Sequence, residues 1–176
     1  MKAAINQLKK TSRAYLAGKA ILVHDGAPVT HQIIVAGVLA HEGRFLLVEE
    51  HVDGILCLNH PAGRLEPGES PMDGAVRETW EEAGVRFEPT HLLGIYEWHS
   101  ARHNKLFVRI AYTGRITAGG DGKPRDPNIV RVTWLNYEQV RAEVARHRSP
   151  FVLSCIEDYL QGVRHPLELI KHFVPS

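Results

Sequence analysis

Only two cysteines, Cys57 and Cys155, occur among the 176 residues. They form no CxxC pair or Cys/His cluster, so neither a disulfide framework nor a structural zinc site is expected, and a reducing cytoplasm fits best. Long apolar runs are missing too. The longest, residues 33–40, is strand-sized and far short of a bilayer span, so a soluble chain without a membrane segment is expected. The formal net charge is +1, which supplies no broad basic field for long nucleic acid and favours a small substrate. Acidic residues are absent before Asp25, whereas Lys2, Lys9, Lys10, Arg13 and Lys19 crowd the same stretch. Residues 1–30 therefore read as a basic N-terminal extension, either family-specific or an organelle transit segment. The apolar stretch 20–23 is too short for a secretory signal.

What remains is one domain, residues 31–176, with 44% hydrophobic residues, enough for a single α/β core. Residues 33–40 and 45–49 are apolar runs joined by His41-Glu42-Gly43-Arg44, the length and glycine content of a hairpin, and are expected to pair. A short strand at 56–58 leads into the irregular Asn59-His60-Pro61-Ala62-Gly63. A helix is predicted with Glu69 or Ser70 as N-cap, Pro71 at its first position and Gly84 just past its end. Strands follow at 92–98, 106–113 and 130–135, with a glycine-rich hairpin turn at 119–122. Asn136 and Gln139 form a capping box for a helix carrying Val140 and Val144 on one face. Ser149 and Pro150 open a last helix with Val152, Cys155, Ile156, Tyr159 and Leu160 at helical spacing, ended by Gly162. This order predicts an α/β sandwich, helices covering both faces of a mixed sheet.

On the helical wheel of the 71–83 helix, Glu81 and Glu82 flank Glu78. Met72, Val76, Thr79 and Ala83 collect opposite, as the face expected to pack on the sheet, with Trp80 at its margin. Like charges at these spacings repel by a few tenths of a kcal/mol per pair. One account is a solvated acidic face. The other is a site for a hard cation, Mg²⁺ or Mn²⁺, which takes few carboxylate ligands and binds substrate phosphates. Gly74 and Ala75 on that face leave room for a substrate or loop. Such a cation would neutralise phosphate charge and activate a water for attack on phosphorus.

Gly63, Glu69, Arg77, Glu78, Glu81, Glu82 and Gly84, with Val85 in the last aliphatic place, match every fixed position of the Nudix box GX5EX7REUXEEXGU. The chain thus resembles the Nudix hydrolases. One departure is Thr79, which stands where a bulky aliphatic residue is usual and whose buried hydroxyl needs an acceptor. The resemblance implies a Nudix-type α/β/α sandwich and a phosphoanhydride hydrolase. It implies that Glu78, Glu81 and Glu82 hold metal, that Glu78 is also the general base, and that the Ala62 carbonyl is a further ligand. Arg77 is expected to pair with Glu69 and orient the loop and helix. Members often carry a carboxylate just before an Ile-x-x-x-x-Trp stretch. Here that stretch is 129–134, Asn128 takes the acid's place, and Asp126 is either its replacement or a solvated turn residue.

From about Gln32 onward the likeness is to NudJ-type phosphatases, through His60-Pro61-Ala62-Gly63, Glu97-Trp98, Ser149-Pro150-Phe151-Val152 and Arg164-His165-Pro166-Leu167-Glu168. That subgroup implies release of phosphate from nucleoside tri- and diphosphates or hydroxymethylpyrimidine pyrophosphate. Leu58 and His60 replace a common tryptophan and glutamine, which leaves base recognition open. Three more residues have two readings each. Arg64 reaches a phosphate or solvent, Arg109 points into a substrate cleft or outward, and Trp98 stacks on a base or seals the core. The eleven histidines form no H-E-x-x-H signature, and Gly122-Lys123 lacks the rest of a P-loop. Alternatives are an ADP-ribose, oxidised-nucleotide or RNA 5′-end pyrophosphohydrolase, and a non-catalytic nucleotide-binding regulator. The intact charged positions of the box weigh against the last.

Overall fold

A computed structural model describes residues 23–24, 27–28 and 30–173. Most of the expected basic extension over 1–30 lies outside the described residues. Within it, β1 (Val23–His24) and β2 (Ala27–Pro28) form a small antiparallel pair. The chain then runs β3 (Thr30–Gly37), β4 (Ala40–His41), β5 (Arg44–Val52), β6 (Ile55–Asn59), β7 (Ala62–Arg64), α1 (Pro71–Ala83), β8 (Arg86–Ser100), β9 (Lys105–Thr117), β10 (Ile129–Leu135), α2 (Tyr137–Ala142) and α3 (Phe151–Leu160).

Two sheets form the frame. The first is mixed, in the order β7-β3-β9-β8, with β3 and β9 parallel and its other pairings antiparallel. In the second, β5 pairs antiparallel with β10, β4 and β6. Alternation along β9 separates two cores. Ile110 and Tyr112 join Val35, Ala75 and Ala83 beneath α1, while Ala111 joins Phe151 and Cys155 of α3, with Phe107 packed alongside. The α/β architecture, with helices on both faces of a mixed sheet, is therefore present. On β5, Leu46 and Val48 enter the α1 core and Phe45 and Leu47 pack with Val140, Val152 and Ile156, so the strand is buried on both faces.

The expected 33–40/45–49 hairpin is half right. The 41–44 turn exists, with Glu42 and Gly43 both at positive φ, but only Ala40 and His41 pair with β5. Residues 30–37 belong to the other sheet. The chain changes sheets at Val38 and Leu39, which are fully buried; the Val38 N–H donates to Tyr112 O and the Leu39 carbonyl accepts from Leu46 N. Because both residues are covered on all sides, the switch left no break in the apolar pattern. Asp53-Gly54, also at positive φ, makes the tight β5–β6 turn, a strong hairpin signal passed over in the sequence.

The glycine-rich 119–122 segment is no hairpin. It belongs to the crossover from β9 in one sheet to β10 in the other, and docks on the end of α1: Asp121 N and Gly122 N donate to Gly84 O, and Arg125 N and Asp126 N to Glu81 O. The capping box at Asn136 and Gln139 is present, but α2 ends at Ala142. Val144 falls in a following 3-10 turn and is 58% exposed, so it does not share the buried face of Val140. Likewise Leu160 of α3 is exposed.

Helix α1 has the expected ends: Ser70 accepts from Asp73 N, Pro71 is first, and Gly84 closes it at φ 63°. Its orientation departs from the wheel. Pro71, Gly74, Ala75, Glu78, Thr79, Glu82 and Ala83 are buried, so the inward arc is centred between the glutamate face and the expected apolar face, and Met72 and Val76 pack at its margin. Thr79 meets its acceptor in Ala75 O at 2.7 Å. It lies against Gly37, where any Cβ would collide with the Thr79 hydroxyl. Gly37→Ala should therefore destabilise the fold by about 1–3 kcal/mol, as overpacking does. Urea denaturation checks this, and an unchanged midpoint would refute the contact's importance.

Candidate active site

Burial of two carboxylates follows from the turn of α1. Glu78 is 9% and Glu82 7% exposed, and both face the start of β7 and the loop that leads into it. The Glu82 Oε2 accepts from Ala62 N at 2.8 Å. The Glu78 carboxylate occupies the space where a side chain at Gly63 would begin, so only glycine fits there. Proline at 61 and glycine at 63 give this loop its close approach, and the backbone of Ala62 is thereby placed beside both acids.

Arg77 organises the rest. Its Nε and Nη2 donate to Glu69 Oε2 and Oε1 at 3.0 and 2.8 Å, a two-pronged pair, and Nη2 also reaches Arg64 O at 3.2 Å. The remaining Nη1 is shared between Glu78 Oε1 at 2.7 Å and Glu81 Oε2 at 3.0 Å. The same guanidinium thus ties the loop before α1 to the acidic face. Arg77 holds the Glu69 carboxyl below its ordinary range, and these carboxylates raise Arg77 in turn, Glu69 foremost. Burial raises Glu78 against the pull of Arg77. Glu82, without such a partner, is pushed up by burial to about 9, its Ala62 hydrogen bond opposing and Glu50, Glu78 and Asp126 adding to the rise.

Among the described residues no three His, Cys, Asp or Glu side chains converge on one point, Glu81 being turned to Arg77. The donors present nonetheless fit a hard cation. Two desolvated, mutually repelling carboxylates beside one backbone loop are stabilised by a divalent charge.

A second region adjoins the first through Ala62 and Glu50. There Ile34, Asn59, Trp98, Phe107, Arg109, Arg148, Ser149 and Phe151 line a pocket of about 120 Å³. Arg109 is 3% exposed, on the α3 side of the mixed sheet, so of its two sequence readings the outward one is eliminated. Trp98 stacks on Phe107 with centroids 5.7 Å apart and meets Phe151 edge-on; it packs against the core and lines the pocket at once. Arg64 is placed elsewhere, in a groove with His31, Glu66 and Lys171, and is not brought together with Arg109. Asp126 Oδ1 accepts from the backbone and side chain of Asn128 at 2.8 Å, a turn role, although its charge also reaches Glu82.

Sequence reasoning missed Ile34, Glu50, Asn59, Phe107, Arg148 and Phe151 as pocket residues and met Ser149 only as a helix start and as part of the Ser149-Pro150-Phe151-Val152 likeness. The available signal was Asn59-His60, two polar residues continuing an apolar strand; both are buried.

The raised Glu82 carboxyl has a measurable consequence without metal. The native state binds its proton more tightly than the unfolded chain, whose ordinary value is 4.5. This group's stabilisation is therefore present below that value and is lost as pH rises through about 9. Thermal unfolding of metal-free protein between about pH 5 and pH 9 should show a decline that Glu82→Gln flattens and added Mg²⁺ reduces. Identical slopes for wild type and variant would contradict it.

The family pattern described as the NUDIX domain matches residues 30–155. The chain is 35% identical over 141 residues to Phosphatase NudJ of Escherichia coli strain K12, covering 80% of this chain and 91% of that protein. A solved NUDIX hydrolase from Nitrosomonas europaea is similar at 39% identity and a TM-score of 0.78, over 82% of this chain and 98% of that one. The MutT protein from Methanosarcina mazei Go1 shares the fold at 21% identity, with a TM-score of 0.60 over 76% and 96% of the two chains. With its box residues gathered around one loop and the family pattern spanning most of its length, the chain belongs to the Nudix hydrolase family.

Proposed function

We propose that this phosphoanhydride hydrolase is Mg²⁺-dependent and releases orthophosphate from small nucleoside tri- or diphosphates, or from hydroxymethylpyrimidine pyrophosphate. The observation that carries the reading is the adjacency of two surfaces: the Glu78/Glu82 pair beside Ala62, and the aromatic, donor-bearing pocket that shares Ala62 as a wall. A diphosphate laid across Ala62 would put its phosphates at the carboxylates and its ring in the pocket. The name of the curated relative, a phosphatase, supports orthophosphate as product.

In this reading Glu78, Glu82 and Glu81, with the Ala62 carbonyl, would hold the metal, which when bound would supply charge neutralisation and an activated water. Glu78, raised by burial, takes the proton from the attacking water. Arg77 and Glu69 keep the glutamates in place without touching substrate. Glu81, whose Oε2 accepts from Arg77 Nη1, would have to turn from that contact to serve as a ligand, while the Glu69 fork holds the guanidinium in place. Trp98 and Arg109 contact the non-phosphate part of the substrate. Arg64 and Asp126 are second-rank contacts, Arg64 toward a distal phosphate and Asp126 toward the metal site.

A panel of GTP, GDP, ADP-ribose and hydroxymethylpyrimidine pyrophosphate, with phosphate and pyrophosphate assayed separately, tests this. Orthophosphate should dominate, chelation should abolish turnover and Mg²⁺ restore it. Glu78→Gln should lower kcat by about 10²–10⁴-fold, as loss of a general base does. Turnover of ADP-ribose alone would refute the substrate class. No turnover at all, with ligand binding unchanged in Glu78→Gln, would mark a binding protein.

A further inference from the structure

Arg109 is a buried cation with no ion-pair partner among the described residues, and that is costly unless something else accepts from it. Its Nη2 donates to Asn59 Oδ1 at 3.0 Å and its Nη1 lies 3.4 Å from His60 Nδ1. The Nε itself has no hydrogen-bond partner, although the Cys155 thiol lies close enough to the guanidinium to interact with it. The guanidinium is held in orientation: it lies over the Phe151 ring at 5.0 Å, and Asn59 is fixed because its Nδ2 donates to Glu50 Oε1 at 3.0 Å. In the same pocket Ser149, 8% exposed, has an Oγ that is likewise buried and unpartnered. Two buried polar side chains with unmet hydrogen-bonding capacity therefore face one aromatic cavity.

Phosphate is a poor candidate for the missing acceptor. Arg109 sits among Phe107, Phe151, Trp98 and Ile34, and the pocket's other charged residues, Glu50 and Arg148, are of opposite sign, so a dianion would be stripped of water with little net gain in charge pairing, whereas the carboxylate site next door would offer phosphates a metal. A flat heterocycle suits the aromatic walls, and its ring oxygens suit the donors. We propose that Arg109 and Ser149 form a donor edge that recognises ring carbonyl oxygens, so that the hydrolase selects oxo-substituted bases (hypoxanthine, guanine, uracil) over amino-substituted ones (adenine, cytosine). An amino group presented to Arg109 sets donor against donor and leaves the guanidinium unpaired, whereas the Ser149 hydroxyl, itself able to accept, adds less to the discrimination. The inference rests on the nucleotide arm of the reading above and adds the base class to it; hydroxymethylpyrimidine pyrophosphate, whose ring carries an amine and no carbonyl, falls on the disfavoured side.

Two matched substrate pairs test it in the Mg²⁺-loaded full-length enzyme: IDP against ADP, and UDP against CDP. Each pair differs by a carbonyl in place of an amine and a proton on the neighbouring ring nitrogen. The oxo member should be favoured in kcat/KM by about fivefold or more in at least one pair, the lower end of what one good Arg–base contact supplies. Arg109→Met should bring that ratio to within about twofold, mostly through KM, and Ser149→Ala should lower it partway. Equal or inverted preference in both pairs overturns the proposal, as does a preference that folded Arg109→Met retains. Should Arg109→Met not fold, Ser149→Ala decides, and an unchanged ratio there overturns it. Equal turnover of all four removes only this inference. Turnover of none removes the nucleotide reading with it.

Discussion

Everything at this site depends on one conflict: two carboxylates, Glu78 and Glu82, lie on the inward arc of the helix that also packs the core. Helices ordinarily turn such residues to water. Here the same arc carries Ala75, Thr79 and Ala83, so the helix cannot roll outward to hydrate its acids without opening the core. The acids are retained because each finds a partner within reach, Arg77 for Glu78 and the Ala62 N–H for Glu82. Neither partner answers both, so Glu82 is left to burial, which pushes its carboxyl up to about 9.

Holding that helix still falls to its two ends. At the front, the Arg77–Glu69 fork binds the approach loop to the acidic face, with Gly74 leaving space for the Glu69 carboxylate that a Cβ would crowd. At the back, the crossover loop places four N–H groups on Glu81 and Gly84 carbonyls. Trp80 lies between two guanidinium groups, Arg86 at 4.0 Å and Arg125 at 3.6 Å from its ring centre. Cations at a helix C-terminus also complement its dipole. A distinct anchor serves β5, where buried Glu49 accepts from Arg131 and Arg146. Burial alone would raise its carboxyl, yet the two arginines hold it below the ordinary range. Unlike Glu82, this acid is fully answered by cations, which makes it a strut and leaves it unsuited to metal.

Local rules recovered most elements, and the box residues identified the family. Ser70, Pro71 and Gly84 mark α1 because capping chemistry is decided by neighbours within one turn. The 41–44 turn was legible for the same reason. What local rules could not show was which sheet a strand joins. Residues 33–40 look continuous because Val38 and Leu39 are buried on all sides as they pass between sheets. The wheel likewise assumed one apolar face opposed to one polar face, and failed where Glu78 and Glu82 lie on the packing arc. Asn59, Ser149 and Arg109 come from β6, the start of α3 and β9, and no spacing rule connects residues so far apart.

The sheet switch at Val38 is therefore more than a detail of topology. By ending β3 in one sheet and starting β4 in the other, it leaves the β6–β7 segment to bridge the two, since β6 pairs with β5 and β7 with β3. Residues 59–63 are that bridge. Asn59 turns toward Arg109 and His60 is fully buried beside it, while Ala62 and Gly63 turn toward the glutamates. Five consecutive residues thus touch both the ring pocket and the carboxylate site. Register between the sheets therefore fixes the distance between the aromatic pocket and the carboxylates, and a shift in either sheet would alter both together.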